Sequence, residues 1–318
     1  MPYGEKWRQH RRLFQEGLRD FVEESEDQRI GLEKVYELLV NLLKDPNNFR
    51  AHIRTWAAAT IIGIMYGHDV ASNNDYFVDL AEKALGTFVT FAATSGALVN
   101  IFPFMRYLPA WFPGCGFQYI VREGRDWVHD MVDKPYSIAV DNMRSTKRKS
   151  SILAKYLDRH RTDGGGDEQE LMIKQVCATA YAAGADTTVS ALSTFFMAMA
   201  SYPHVQKKAQ TYIDDVLAAE GRLPTWEDRS SLQYVEAIVR ETLRWAPVAP
   251  LGFFHSAASD DTVDGYFVPQ GTALSGNIWA MTRDPTVYPD PENFIPERFL
   301  KEDGTCNDDD VSYTFGFG

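Results

Sequence analysis

Cysteine is scarce in this chain: three residues in 318, Cys115, Cys177 and Cys306, widely spaced and with no Cys-x-x-Cys pair. That usage argues against a disulfide framework and against a structural zinc site. Basic charge is also in deficit. Lysine and arginine total 32 against 44 acidic residues, a net charge of −12, which disfavours nucleic acid as a partner. The seven histidines contain no His-Glu-x-x-His, and no Gly-x-Ser-x-Gly elbow occurs. The long uncharged run, Ala84 to Met105, contains Gly86, Gly96, Asn100 and Pro103. It reads as a buried helix entering a loop, with a segment dipping into a membrane surface as the alternative. Pro2 to Arg12 is polar and basic, unlike a signal peptide. Gly164-Gly165-Gly166 lies between acids without a following Lys and Ser/Thr, so it reads as a flexible connection rather than a phosphate loop. Arg144–Lys149 reads as a solvated basic loop.

Hydrophobic residues make up 45% of the chain, enough for a sizeable core. Apolar spacing of three and four predicts helices over Glu5–Glu24, Gly31–Leu43, Ile53–Tyr66, Asn74–Thr90, Phe117–Arg144, Ser151–Asp158, Asp167–Ser201, His204–Glu220, Trp226–Ser230 and Gln233–Trp245. After Pro247 the texture changes. Short strands are expected at Leu251–His255, Thr262–Val263, Tyr266–Val268 and Thr272–Leu274, with Asp264-Gly265 and Pro269-Gln270-Gly271 as turns. The fold class is mainly α with a small β region, and no repeat or linker divides it.

Three motifs stand out. Glu241-Thr242-Leu243-Arg244 puts an acid and a base on one face of a helix. Pro296-Glu297-Arg298-Phe299 brings a second arginine, beside a proline expected to stop a helix. A carboxylate between two guanidiniums can be held by planar paired hydrogen bonds and lock distant segments together. Upstream lies Ala183-Gly184-Ala185-Asp186-Thr187-Thr188. Gly184 weakens a helix and Thr187 can bond back to an earlier carbonyl, which together predict a distorted helix with a polar notch.

Taken in this order, the motifs resemble those of the cytochrome P450 family, the haem-thiolate monooxygenases, over about Pro2 to Gly318. The resemblance implies a single P450 domain over residues 1–318, and a set of roles. Thr187 would hold dioxygen by a hydrogen bond, Asp186 would pass protons inward, and Gly184 would let the haem come close. Glu241, Arg244 and Arg298 would form a structural clamp, so that Arg298→Ala abolishes folding or haem uptake. Trp7 and Arg11 fit the family's Trp-x-x-x-Arg and would bind a haem propionate, as would His255. The basic run around them, Lys6 to Arg12, would also suit an acidic redox partner. Ile101–Gly116, rich in aromatics and prolines, would line a substrate entrance and touch a membrane.

The family's haem-ligand loop reads Phe-x-x-Gly-x-Arg-x-Cys-x-Gly, and Phe315 to Gly318 matches its first four positions. The ligand cysteine would fall four positions beyond Gly318, so no metal ligand is expected in this chain. Residues 1–318 are thus expected to be a fragment or truncated reading frame, incomplete at both ends and inactive alone. The expected whole is a fungal microsomal-type enzyme of the endoplasmic reticulum membrane, held there by an anchor preceding Met1. It would carry haem b, take electrons from NADPH through a reductase, and insert one atom of O2 into a small apolar substrate. Two alternatives stay open: reductase-free rearrangement or peroxide chemistry, and a non-catalytic remnant or partner-binding helical protein.

Overall fold

The computed structural model describes residues 3–23, 25–70, 75–93, 99, 102–144, 149–162, 164–218 and 221–317. Gly318, Met1, Pro2, and parts of the Ala84–Met105, Ile101–Gly116 and Arg144–Lys149 stretches lie outside the described residues. The chain divides into two compact units, Met1–Val189 and Ser190–Gly318.

The first unit is helical. It contains α1 (Glu5–Glu23), α2 (Ser25–Lys44), α3 (Phe49–Tyr66), α4 (Tyr76–Ala93), α5 (Phe117–Arg144), α6 (Ile152–Thr162) and most of α7 (Asp167–Ser201). Its centre is α3, which buries Ile53, Ala57, Ala58, Ala59, Ile62, Ile64, Met65 and Tyr66. A helix apolar on so many sides has to be surrounded by others. It ends at Gly67, whose left-handed φ of 66° lets its N–H reach the Gly63 carbonyl. The core continues into α7 through Ile173, Val176, Cys177, Ala180 and Tyr181. Each large apolar side chain removed from water here contributes about 1.5–3 kcal/mol. Tyr181 brings a polar tip into this core, and its hydroxyl donates to the Phe77 carbonyl.

Two glycines of this unit carry opposite meanings. At Gly124 of α5, an added Cβ would sit 1.9 Å from Thr87 Cγ2 of α4, so these helices approach only because no side chain intervenes. Gly86 of α4 has nothing within 4 Å of that position. Gly124→Ala is therefore expected to destabilise the protein by about 1–3 kcal/mol through overpacking. Gly86→Ala should stabilise by up to about 1 kcal/mol through helix propensity. Urea midpoints at constant m-value check both signs.

The second unit holds α8 (Pro203–Leu217), α9 (Gln233–Trp245), α10 (Ile278–Met281) and four short strands. Pro203 opens α8 at a position where its missing N–H costs nothing. Strands β1 (His255–Ser256) and β4 (Ala273–Leu274) pair antiparallel, as do β2 (Asp261–Val263) and β3 (Tyr266–Val268). The β2–β3 turn is Asp264-Gly265, both at positive φ (50° and 82°), as a two-residue hairpin demands. Ala198, Met199, Val205, Tyr234, Ile238 and Phe294 form one buried cluster, and Ala237, Tyr288, Phe299 and Val311 another.

Several boundaries differ from the sequence expectation. α2 begins at Ser25, six residues before Gly31. The strand expected at Leu251–His255 shrinks to His255–Ser256, because Gly252 takes φ 61° and turns the backbone there. Pro296 does not stop a helix. It begins a 3-10 turn, Pro296–Phe299, its fixed φ suiting a first helical position. Trp226–Ser231 is also 3-10, capped reciprocally by Thr225 and Asp228.

Candidate functional site

In the second unit, α9 buries Tyr234, Ala237, Ile238, Glu241, Thr242 and Arg244 along one stripe. The three- and four-residue spacing that drives the apolar members inward carries the ion pair with them. Glu241 and Arg244 are each 0% exposed. Arg244 Nε donates to Glu241 Oε2 at 2.6 Å and a terminal nitrogen donates to Oε1 at 2.9 Å. Its other N–H groups reach the carbonyls of Thr282 (2.8 Å), Pro291 (2.9 Å) and Asn293 (3.2 Å). All five guanidinium donors are therefore engaged. Tyr288 presents its ring 5.5 Å from the guanidinium carbon.

Glu241 is loaded from the other side by the Ile295 backbone N–H (2.7 Å) and Arg298 Nε (3.3 Å). Arg298 also donates to the carbonyls of Pro289 (2.9 Å) and Asp290 (3.2 Å). The three charged side chains thus tie α9 to the loop running from Thr282 to Arg298. The carbonyls spread the one positive charge that the single carboxylate leaves uncompensated. Glu297, next to Arg298, receives Lys208 Nζ (2.7 Å) and the Tyr234 hydroxyl (3.1 Å), which adds α8 to the clamp. No sequence signal marked the carbonyl cage, since every residue type carries a carbonyl.

His255 sits on β1 with its side chain exposed and its backbone registered against Leu274. Phe315 ends a 3-10 turn, Ser312–Phe315, and is 79% exposed. Phe317 turns its ring toward Gly276, 2.3 Å from where a Cβ would stand. Gly318 lies outside the described residues.

The helix α7 runs without interruption from Asp167 to Ser201, through the stretch around Gly184 where a distortion with a polar notch is expected. Packing accounts for the glycine. A Cβ on Gly184 would meet Ile61 of α3 at 3.0 Å, so the glycine serves a close helix crossing. Thr187 and Asp186 are exposed, and Thr187 Oγ1 donates to the Ala183 carbonyl at 2.7 Å. With its proton committed there, the hydroxyl presents its lone pairs outward. Trp7 and Arg11 share one face of α1, the guanidinium carbon 5.2 Å from the indole centroid. Arg11 is exposed and makes no ion pair among the described residues.

The two units thus present a mainly helical protein with small antiparallel ribbons and a buried Glu–Arg–Arg clamp. Residues 1–318 match the family model "Cytochrome P450" in full. The chain belongs to the cytochrome P450 family. It is 38% identical to a cytochrome P450 monooxygenase of Armillaria gallica, over 100% of this chain and 62% of that relative. It is also 38% identical to cytochrome P450 monooxygenase 208 of Postia placenta, over 100% and 61%. Cytochrome P450 monooxygenase COX2 of Coprinopsis cinerea is 37% identical, over 97% and 59%. The chain spans about three fifths of the length of these curated relatives.

Family membership implies haem, and an exposed cation would suit its carboxylate edge. Arg11 offers an exposed guanidinium, stacked on Trp7 and with no acidic partner among the described residues. Cys115 and Cys177 are buried, and burial pushes the Cys177 thiol up to about 12. Cys306 gives its S–H to the Gln233 carbonyl, and burial raises its pKa as well. No cluster of three His, Cys, Asp or Glu side chains suited to a metal occurs among the described residues.

Proposed function

We propose that the full-length protein is a haem-dependent monooxygenase that inserts one atom of dioxygen into a small apolar substrate, with electrons from NADPH delivered by a reductase. The observation that carries this reading is the pair Asp186–Thr187 on the exposed side of α7, in a chain that matches the family from end to end. Haem, when bound, supplies the redox chemistry and the activation of oxygen. The chain's residues supply the setting. By resemblance, Trp7 and Arg11 would hold a haem propionate, and His255 would also contact one. Thr187, its proton held by Ala183, accepts a hydrogen bond from a protonated oxygen or a water, and gives its own proton only by releasing that carbonyl. Asp186, open to water, can take up a proton and pass it to the threonine's neighbourhood. Retention of both residues favours the oxygen-activating reading over reductase-free chemistry.

The reading extends to a membrane. No helix among the described residues is long and apolar enough to cross one. The segment after α4 nevertheless exposes Phe102 (47%), Phe104 (60%), Tyr107 (76%) and Trp111 (77%), with Arg106 stacked on Tyr107. Aromatics of this kind suit a headgroup boundary. The endoplasmic reticulum membrane is proposed for the intact protein by resemblance, and these aromatics are compatible with contact to a membrane surface.

A carbon monoxide difference spectrum tests the proposal. The reduced full-length protein is expected to give the band of thiolate-ligated haem. Residues 1–318 expressed alone should not give it, because their three thiols are buried or bonded. That band in the 318-residue polypeptide would show that one of these cysteines ligates iron. Its absence from the full-length protein would leave a non-catalytic, partner-binding role.

A further inference from the structure

His10 of α1 lies between Trp7 and Arg11 in sequence and has its ring engaged at both ends. Nδ1 stands 2.7 Å from the Lys6 carbonyl, one turn back on the same helix. Nε2 stands 2.9 Å from the side-chain oxygen Oε1 of Gln175, on α7. A carbonyl only accepts, so Nδ1 must carry a hydrogen. A neutral imidazole has no second one, and Nε2 is then an acceptor that Gln175 meets with its NH2 group. A half-turn of the carboxamide exchanges its oxygen and nitrogen and presents the NH2 group to Nε2, which is the arrangement a neutral ring requires.

We propose that His10 and Gln175 form a latch between α1 and α7 that positions Trp7 and Arg11 for a carboxylate. His10 is a positioning residue here, since it touches neither the carboxylate nor any reacting atom. Arg11 is the next residue along the helix, and Trp7 lies three positions back, beneath the Arg11 guanidinium. A helix can roll about its axis against a neighbour, and rolling would swing both side chains away together. A bond from a short, stiff ring to α7 sets that angle. The Lys6 carbonyl bond fixes the ring itself. Pre-organising a cation in this way raises affinity for an anion by lowering the ordering cost. The functional part of the proposal rests on the reading that Trp7 and Arg11 hold a haem propionate. The latch itself does not.

Two experiments on the full-length protein test it. The first is the imidazole 15N spectrum of the haem-free protein, with the resonances assigned by loss in His10→Gln. His10 should show the Nδ1–H tautomer. His52 and His160, whose Nε2 atoms face the Asp45 and Gly166 carbonyls at 2.9 and 3.1 Å, should show the opposite one. An Nε2–H tautomer at His10, or a ring averaging between both, overturns the latch. The second compares the binding of haem and of haem dimethyl ester, which cannot pair with Arg11. Gln175→Leu should weaken haem about fivefold, the worth of one hydrogen bond, and leave the ester unchanged. Equal weakening of both ligands by Gln175→Leu would reduce the latch to general stability and overturn the positioning role. If the wild type already binds haem and ester alike, the propionate reading fails and the positioning role with it. The tautomer then judges the latch alone.

Discussion

Arg244→Ala is expected to leave the second unit without a cooperative fold at 25 °C. The substitution removes five hydrogen bonds at one stroke. It strands Glu241, 0% exposed, with Arg298 at 3.3 Å as its remaining cation, and it deprives three carbonyls of their donor. Breaking a buried ion pair by deleting one partner costs about 3–5 kcal/mol. A domain of ordinary stability has about 5–15 kcal/mol in total, so most or all of the margin disappears. Arg244→Lys should recover little, since an ammonium is a point donor and cannot bridge a carboxylate and three separate carbonyls. Arg298→Ala should cost less, because its bond to Glu241 is longer and its other donors sit toward the surface. Loss of folding or of haem uptake, expected from the sequence for Arg298→Ala, would then follow sooner from Arg244→Ala. Lys301→Ala, which deletes an exposed pair with Asp308 at 3.7 Å, serves as control and should stay within about 0.5 kcal/mol. Urea unfolding followed by the fluorescence of Trp245 and Trp279 measures all four. An Arg244→Ala midpoint close to that of Lys301→Ala would show that the clamp does not hold the unit together.

Thr187→Ala in the full-length protein should separate electron use from product. Stability should hardly change, because the side chain is exposed and its one hydrogen bond folds back onto its own helix. What is lost is the hydroxyl proposed to receive and relay a proton. Without it, two electrons and two protons delivered to dioxygen leave as hydrogen peroxide instead of yielding hydroxylated product and water. The ratio of product to NADPH consumed is expected to fall at least tenfold while NADPH oxidation continues, within the range that positioned proton-transfer groups contribute. Thr187→Ser keeps the hydroxyl and should retain most of the coupling. Coupling in the alanine variant equal to wild type would remove Thr187 from the proposed chemistry.

Much of this protein was legible as sequence. The helices Phe117–Arg144, Asp167–Ser201 and Gln233–Trp245 lie where apolar spacing put them, since periodic burial is written residue by residue. Short elements were less legible. Pro296 reads as a stop and acts as a start, because proline is compatible with the first helical position and with the end of the preceding one. The strand expected at Leu251–His255 shrank where Gly252 at positive φ redirected the chain, while Tyr266–Val268 lies where it was expected.

The candidate site divides along the same line. Side-chain chemistry at fixed spacing singled out Glu241, Arg244 and Arg298 before any coordinates, because a buried charge demands a partner of the opposite sign. Which backbone carbonyls would complete the cage of Arg244 was decided only by the tertiary path of the Thr282–Asn293 loop. Likewise, Gly184 announced a close approach, but the fold alone chose Ile61 as what approaches. His10 gave no such notice, and its meaning came from Gln175, which lies 165 residues away. The sequence by itself determined which groups need partners, since charge, hydrogen-bonding capacity and volume belong to residue types. Only the tertiary structure decided who those partners are, because that depends on which distant segments the packing of the helices brings within 3 Å.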